Sequence, residues 1–186
     1  MTAARTRLLR PWALWTLGFL AFPIAGLAGG AVAGPIDDLR AAVLGGAVTG
    51  LVLGTGQYLA ARGALGARWI PATALSMAVG LGVGAAAVGY RTSLGALALM
   101  GLLTGIALGV AQATALPAGV RRRWTWAVTT PVLWGLGWTV TTLGGIAVAE
   151  QFTIFGAYGA VTFSALSGLV LYGVVLRRDP VAGPTP

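Results

Sequence analysis

Residues 49–57 read T-G-L-V-L-G-T-G-Q, and residues 104–112 read T-G-I-A-L-G-V-A-Q. Five of the nine positions are identical, and both copies lie inside apolar stretches long enough to cross a bilayer. The motif therefore indicates a membrane helix that occurs twice in one chain. A third, weaker copy, S-G-L-V-L, begins at Ser167.

The composition is typical of an integral membrane protein. Hydrophobic residues make up 57% of the 186 residues and charged residues only 9%, far from the averages of soluble domains. The sequence contains no Cys, His, Lys or Asn, which excludes disulfides, thiol nucleophiles, imidazole metal ligands and a Schiff-base lysine. We therefore predict no catalytic residue, no metal site and no cofactor.

Six apolar stretches reach the roughly 20 residues that a helix needs to cross the hydrocarbon core. They are residues 12–32, 39–61, 69–90, 94–116, 124–148 and 154–176. The short charged connections between them leave no room for a soluble domain. The predicted fold is a single all-α integral membrane domain over residues 1–186. It consists of three helical hairpins, at residues 12–61, 69–116 and 124–176, and a disordered tail at residues 179–186.

The arginines predict the orientation in the membrane, because basic residues are retained on the cytoplasmic side. Arg40 and Arg91 lie at one set of span ends, and ten arginines lie at the other: Arg5, Arg7, Arg10, Arg62, Arg68, Arg121, Arg122, Arg123, Arg177 and Arg178. We expect both termini in the cytoplasm and the protein in the plasma (inner) membrane. Because the basic residues are scattered over span ends, the net charge of +8 indicates a lipid bilayer as partner and no nucleic acid.

Tryptophans mark the same ends. Indole rings favour the membrane interface, and five of them stand at the starts of the first, third and fifth spans: Trp12, Trp15, Trp69, Trp124 and Trp126.

An alternative interpretation of the first span is a cleaved signal peptide, because the small triplet at residues 31–33 resembles a cleavage site. Its apolar run is longer than the usual h-region of roughly 7–15 residues, and cleavage would leave an unpaired span.

Every predicted hairpin starts on the cytoplasmic side. Successive hairpins then share an orientation and are related by a pseudo-threefold axis along the membrane normal, not by an inverted repeat. The odd-numbered spans resemble one another only in their Arg/Trp starts and in an early or internal proline: Pro23, Pro71 and Pro131.

The motif places small residues on one helix face, since positions three and four apart are neighbours on a helix. Glycine lets two helix backbones approach closely, so these faces are predicted packing surfaces. The faces are Gly46, Gly50, Gly54 and Gln57 in the second span, Gly101, Gly105, Gly109 and Gln112 in the fourth, and Ser164, Gly168, Tyr172 and Val175 in the sixth. The sixth span has therefore diverged at its last two positions.

Gln57 and Gln112 are candidate functional residues, because an unpaired amide in hydrocarbon costs several kcal/mol. In one interpretation they bond to each other or to a neighbouring carbonyl and fix the helix register. In the other, together with Thr49 and Thr104 deeper in the membrane, they line a polar path or ligand site that opens to the cytoplasm. Such a site would be asymmetric, with two amides on one side and Tyr172 on the other.

Trp134 and Trp138 form a second candidate site in the middle of the fifth span. With threonines near the same face, they are suited to stack on an apolar or aromatic ligand. The alternative is that both indoles fill glycine grooves of a neighbouring helix. The threonines concerned are Thr130, Thr141 and Thr142.

The positions of the acidic residues argue against coupled transport and enzyme chemistry. No span contains an ionisable residue near its centre, whereas ion-coupled transporters usually hold one there. Asp37 and Asp38 are adjacent in a loop, where carboxylates are usually solvated. Glu150 and Gln151 follow the fifth span, and we interpret them as a solvated cap, with a gate as the alternative.

Gly50-x3-Gly54-x2-Gln57-Tyr58-Leu59 followed by Arg62 resembles the repeated helix of small bacterial multi-pass membrane proteins. The resemblance covers the second and fourth spans, departs at Ala113-Thr114 and across most of the sixth span, and implies no activity. Three like-oriented hairpins are also a feature of mitochondrial carriers, but the residues after the prolines lack the charged pattern of those carriers.

Two functions of different class follow. The first is a non-catalytic membrane subunit or scaffold whose glycine faces pack internally and against a protein partner or a second copy. The alternative is an uncoupled pathway for a small neutral or apolar solute. Its candidate lining residues are Gln57, Gln112, Thr49, Thr104, Trp134, Trp138 and Tyr172.

Overall fold

The computed structural model describes residues 2–146 and 154–176, with side chains from Leu8 onwards, and all regular structure in this part of the chain is helical. Six long helices follow in chain order. They are α1 (Thr2–Leu17, a 3₁₀ turn at Gly18–Leu20, and Ala21–Ala33), α2 (Leu39–Ala60), α3 (Trp69–Ala87), α4 (Leu94–Ala115), α5 (Arg123–Leu143) and α6 (Ala157–Val170, continued by a π-helical turn at Leu171–Val175). Arg177, Arg178, Glu150, Gln151 and the predicted tail lie outside the described residues.

Five of these helices are long and apolar enough to cross a membrane: Leu8–Ala33, Leu39–Ala60, Trp69–Ala87, Leu94–Ala115 and Ala157–Val175. The predicted all-helical fold, with several helices long and apolar enough to cross a membrane, is therefore confirmed in outline. α5 is as long, with 21 residues, but four tryptophans and six threonines lower its hydropathy. Its hydroxyls at Thr129, Thr130, Thr139 and Thr142 donate to carbonyls one turn earlier in the same helix, which pairs them without water.

The helices end within a few residues of the predicted boundaries, and backbone chemistry explains the differences. α3 stops at Ala87, before residue 90, because Gly89 and Tyr90 have φ of 59° and 56°. α5 stops at Leu143, before residue 148, and Gly145 follows with φ of 73°. At the start of α2, the Asp38 carboxylate accepts a hydrogen bond from Ala41 N at 2.7 Å, an N-cap.

The 3₁₀ turn in α1 lies just before Pro23. Proline has no N–H and cannot bond to the carbonyl four residues earlier. The preceding turn tightens, so that Ala21 N bonds to Gly18 O in the i→i−3 pattern. Pro71 causes no such break, because it is the third residue of α3, where a backbone N–H has no helical partner.

The six helices pack in a closed ring that follows chain order. Each helix contacts its predecessor and its successor, and α6 returns to contact α1. Side chains buried inside the ring form two clusters. One surrounds Trp15, Trp69 and Trp126 at the end where the arginine-rich loops lie, and the other includes Phe22, Met77, Trp134 and Phe163.

The glycine face of α2 packs on α3, its successor in the ring. A Cβ atom added at Gly50 would lie 2.7 Å from Thr73 O and 2.8 Å from Ala74 Cα, and one at Gly46 would lie 2.6 Å from Met77 O. Gly54 likewise faces Ile70 and Thr73. The backbones of α2 and α3 are therefore in direct contact, and the order of the contacts makes the two helices antiparallel.

α4 repeats this arrangement against α5. A Cβ atom at Gly105 would lie 2.5 Å from Pro131 Cα, one at Gly109 would lie 2.8 Å from Ala127 O, and Gly101 faces Trp138. Both glycine faces thus join one predicted hairpin to the next, and not the two helices of one hairpin. In α6, Gly168 instead faces the rings of Trp12 and Trp15.

Gly105→Ala is expected to destabilise the bundle by about 1–3 kcal/mol, because its methyl group would overlap the backbone of α5. The matched control is Gly95→Ala in the same helix, where an added Cβ has no atom within 4 Å and the better helix propensity of alanine should leave stability unchanged or slightly raised. Thermal unfolding of both variants in one detergent measures the difference. Equal effects would contradict the packing role of Gly105.

Candidate functional site

The two glutamines of the motif lie at the same end of the bundle as two tryptophans. Gln57 and Gln112 are in the last turns of α2 and α4, while Trp69 and Trp126 are in the first turns of α3 and α5. The connecting loops are short, so each tryptophan returns to the level of the preceding glutamine. Both amides are at most 4% exposed and both indoles are fully buried.

Each indole binds the amide of the preceding helix. Trp69 Nε1 donates to Gln57 Oε1 at 2.9 Å, and Trp126 Nε1 donates to Gln112 Oε1 at 3.0 Å. An indole N–H is only a donor, so the amide oxygen must be the atom that faces the ring. This determines the direction of the amide group of Gln112, whose nitrogen points towards other partners.

The amide nitrogen of Gln112 connects the two pairs. Gln112 Nε2 donates to Thr73 Oγ1 at 2.9 Å and lies 3.4 Å from Gln57 Oε1. The Thr73 hydroxyl donates to Trp69 O at 2.8 Å, so its oxygen is available to accept. One directional hydrogen-bond network, named here the Gln–Trp network, therefore links α2, α3, α4 and α5.

A third indole joins α1 to α6 and so closes the ring. Trp15 Nε1 donates to Ser167 Oγ at 3.0 Å, and Trp12 Nε1 donates to Ala165 O at 2.9 Å. When the repeats are aligned, Val175 stands at the position of the two glutamines. The polar partner of the third indole is instead Ser167, at another position of the sixth helix. Val175 lies in the apolar cluster of buried residues.

The three indole rings meet inside the ring of helices. The ring centroids of Trp15, Trp69 and Trp126 are 5.6–6.4 Å apart, and Tyr172 lies 6.5 Å from Trp15. These three tryptophans are therefore buried between the helices, at most 2% exposed, whereas Trp124 is 57% exposed; their level at the membrane interface stays a prediction. Amide and hydroxyl acceptors inside the bundle allow the N–H groups to be buried.

Thr49 and Thr104 lie in separate helix interfaces and outside the Gln–Trp network. Thr49 Oγ1 donates to Ala25 O of α1 at 3.2 Å. Thr104 is buried beside Gly84 of α3, and its hydroxyl has no hydrogen-bond partner among the described residues. The structure therefore does not bring the two threonines together with the two glutamines in one lining.

Trp134 and Trp138 contact rings of the chain itself. Phe155 lies 4.8 Å from Trp134 and 5.8 Å from Trp138, and Phe22 and Phe163 complete the cluster. On the other side, Trp138 Cδ1 lies against Gly101 and Trp134 Cβ lies against Gly105, on the glycine face of α4. Of the predicted threonines, Thr130 and Thr142 donate to carbonyls of α5 and Thr141 Oγ1 accepts from Gly159 N.

Sequence reasoning did not pair the tryptophans with the glutamines, although a signal was present. Trp69 and Trp126 follow Gln57 and Gln112 by 12 and 14 residues. A residue in the last turn of one helix and a residue in the first turn of the next must lie at the same level when the connection is short. The burial of Ser167 and its bond to Trp15 left no comparable signal in the sequence.

Residues 2–146 and 154–176 contain no group of three or more His, Cys, Asp or Glu side chains placed to hold a metal ion. Comparisons of the chain with protein-family models, with curated proteins and with solved structures found no match. The fold and the network define the class as an all-helical protein with several helices apolar enough to cross a membrane.

Gln112→Leu is expected to cost roughly 1–3 kcal/mol of stability, because it leaves the buried N–H of Trp126 without an acceptor. Adding Trp126→Phe removes that N–H, so the double variant should lose less than the sum of the two single losses. Thermal unfolding in detergent measures the cycle, and Thr114→Val, at an exposed hydroxyl bonded within its own helix, is the control. Strictly additive losses would refute the coupling.

Proposed function

We propose that the chain is a six-span membrane protein that acts as a non-catalytic membrane subunit or scaffold through glycine-face helix packing. The observation that carries this proposal is the Gln–Trp network. The described side-chain hydrogen bonds of Gln57 and Gln112 run to Trp69, Trp126, Thr73 and each other. Polar groups used in this way rigidify a bundle and select one packing.

Three similar contacts support the three-hairpin organisation. In each, an indole of an odd-numbered helix donates to a polar side chain of the even-numbered helix that precedes it in the ring: Trp15 to Ser167, Trp69 to Gln57, and Trp126 to Gln112. α5 takes part in this pattern as α1 and α3 do. Its equivalent position in the closed ring favours a sixth crossing of the membrane despite its lower hydropathy.

The orientation is testable because the chain has no cysteine. Gly119→Cys and Ser93→Cys place single thiols in exposed loops at opposite ends of the bundle. With both termini in the cytoplasm of the inner membrane, an impermeant maleimide should label residue 93 on intact cells and residue 119 only after permeabilisation. The reverse labelling would overturn the proposed orientation, and labelling of both on intact cells would overturn the six-span topology.

The alternative pathway for a small neutral or apolar solute has less support. Its proposed polar lining is buried, and Gln57 and Gln112 already have indole partners. The space beside Trp134 and Trp138 contains Phe155, Phe22 and Phe163. A solute would have to displace side chains of the chain itself at both levels of the bundle.

Purification in mild detergent tests the scaffold function. We expect a discrete complex, with either one stoichiometric protein partner or additional copies of the chain, detected by size-exclusion chromatography with light scattering. The same preparation in vesicles should not accelerate the equilibration of small neutral solutes such as glycerol. A monomer that conducts such a solute, and loses conduction in Gln57→Leu/Gln112→Leu while remaining folded, would replace the scaffold by the pathway.

A further inference from the structure

A phenyl ring that belongs to no helix fills the interior of the bundle between α1, α5 and α6. Phe155 lies just before α6 in non-helical backbone, yet its side chain is only 1% exposed. Its ring centroid lies 4.8–6.0 Å from the ring centroids of four helical side chains: Phe22, Trp134, Trp138 and Phe163. These four rings, together with Gly137 of α5, are named here the aromatic pocket.

The wall of the aromatic pocket is shaped for a flat ring. A Cβ atom added at Gly137 would lie 2.9 Å from Cε1 and from Cζ of Phe155, so the ring rests directly on the backbone of α5. Phe22 stacks on this ring at an interplanar angle of 28°, and Trp138 is edge-to-face with it at 89°. Aromatic rings prefer these two arrangements, because their faces are negative and their edges positive. The pocket therefore favours an aromatic ring over a saturated ring of the same size.

Phe155 is held in the pocket by its ring. No hydrogen bond joins the backbone of Ile154 or Phe155 to any of the six helices, all of which lie within the described residues. The four lining side chains, in contrast, stand on helices whose backbone groups bond to one another. Replacement of Phe155 by a free aromatic ring therefore costs no hydrogen bond to the helices and exchanges one set of ring contacts for another.

We propose that the aromatic pocket is a binding site for a small uncharged aromatic molecule, and that Phe155 occupies the pocket when no such ligand is bound. The ligand ring takes the place of the Phe155 ring against Gly137, Phe22 and Trp134. Because the pocket wall consists of aromatic side chains and a glycine, the cost of burying a charge excludes charged ligands. Small-molecule sites are commonly apolar and largely pre-formed in this way.

The pocket ends inside the bundle. At the opposite end, Trp15, Trp69 and Trp126 fill the interior with ring centroids 5.6–6.4 Å apart, and each indole is bonded to a neighbouring helix. A ligand that displaces Phe155 therefore meets a second, hydrogen-bonded layer of rings, and it binds without passing through the protein. Binding needs the packed bundle but no protein partner, so it does not depend on the scaffold function.

Two single-cysteine variants test the displacement of Phe155 by toluene. Ile154 and Val175 are both 3% exposed, the first next to Phe155 in the chain and the second in the buried cluster at the opposite end. The chain has no cysteine of its own, so Ile154→Cys and Val175→Cys each carry one thiol. In detergent, toluene should accelerate maleimide labelling of residue 154 about tenfold, because it shifts the population towards the state with Phe155 displaced. Labelling of residue 175 should not change.

Methylcyclohexane is the matched control ligand, because it has the carbon skeleton of toluene without the aromatic face and edge. It should accelerate labelling of residue 154 much less. Phe155→Ala removes the competing ring and should bind toluene about 10–100-fold more tightly than the wild type. The toluene dependence of thermal unfolding measures this affinity. Leu97→Ala, which truncates another fully buried side chain of the same cluster, should show no such gain.

Three results would overturn the site. They are equal acceleration at residues 154 and 175, equal effects of toluene and methylcyclohexane, and toluene binding by Phe155→Ala without any acceleration at residue 154 in the chain that keeps Phe155. The last result would make Phe155 a permanent core side chain. The wild type supplies a measurement that needs no variant, since toluene should raise its unfolding temperature above that in methylcyclohexane. The absence of that difference would also refute the site and would leave the scaffold function untouched.

Discussion

The close approach of neighbouring helix backbones at the glycine faces is the constraint on which the other contacts depend. Between lipid-facing helices there is no hydrophobic driving force, so association relies on van der Waals contact and hydrogen bonds. At Gly105 even a single added carbon would overlap Pro131 Cα of the next helix. The same kind of contact, between the first glycine face and α3, sets the distance between the backbones of α2 and α3. Once the backbones meet in this way, the ends of α4 and α5 come close enough for Gln112 to reach Trp126.

The hydrogen-bond network then decides which rotations of these helices are allowed. A buried indole N–H needs an acceptor, and the amide oxygens of Gln57 and Gln112 supply two of them. Rotation of α4 by a fraction of a turn would separate Gln112 from Trp126 and from Thr73 together. Glycine packing alone tolerates sliding along a smooth groove, whereas the directional bonds favour a single register.

The glycine faces and the helices were predictable because each depends on local spacing. Three glycines at four-residue intervals within an apolar run leave few alternatives to a packed membrane helix. The burial of Trp15, Trp69 and Trp126 was not predicted, because interface preference and burial both place tryptophan near a helix end. Only the contact with a neighbouring helix distinguishes a buried tryptophan from one at the interface. Trp124 stands two residues from Trp126 and points outwards, while Trp126 is fully buried.

The third polar contact was not predicted, for a related reason. Alignment of the motif matched Val175 with the glutamines, but the rings of Trp12 and Trp15 require the space at Gly168, where an added Cβ would lie 2.8 Å from Trp15 Cδ1. That fit sets the height of α6 against α1 and brings Ser167 to the indole. The closing contact of the ring is thus governed by the size of side chains from opposite ends of the chain, which no local pattern encodes.

By itself, the sequence determined the helical class, the approximate helix boundaries, the asymmetric distribution of arginine, and the faces on which helices pack. These properties follow from hydropathy, charge and residue spacing within single segments. Only the tertiary structure decided which helix each glycine face meets, which way each amide points, and which aromatic rings fill the centre. A glycine in a packing face shows that another helix backbone approaches closely, but which helix approaches depends on the closure of the ring. The direction of an amide depends on hydrogen-bond donors that belong to other helices.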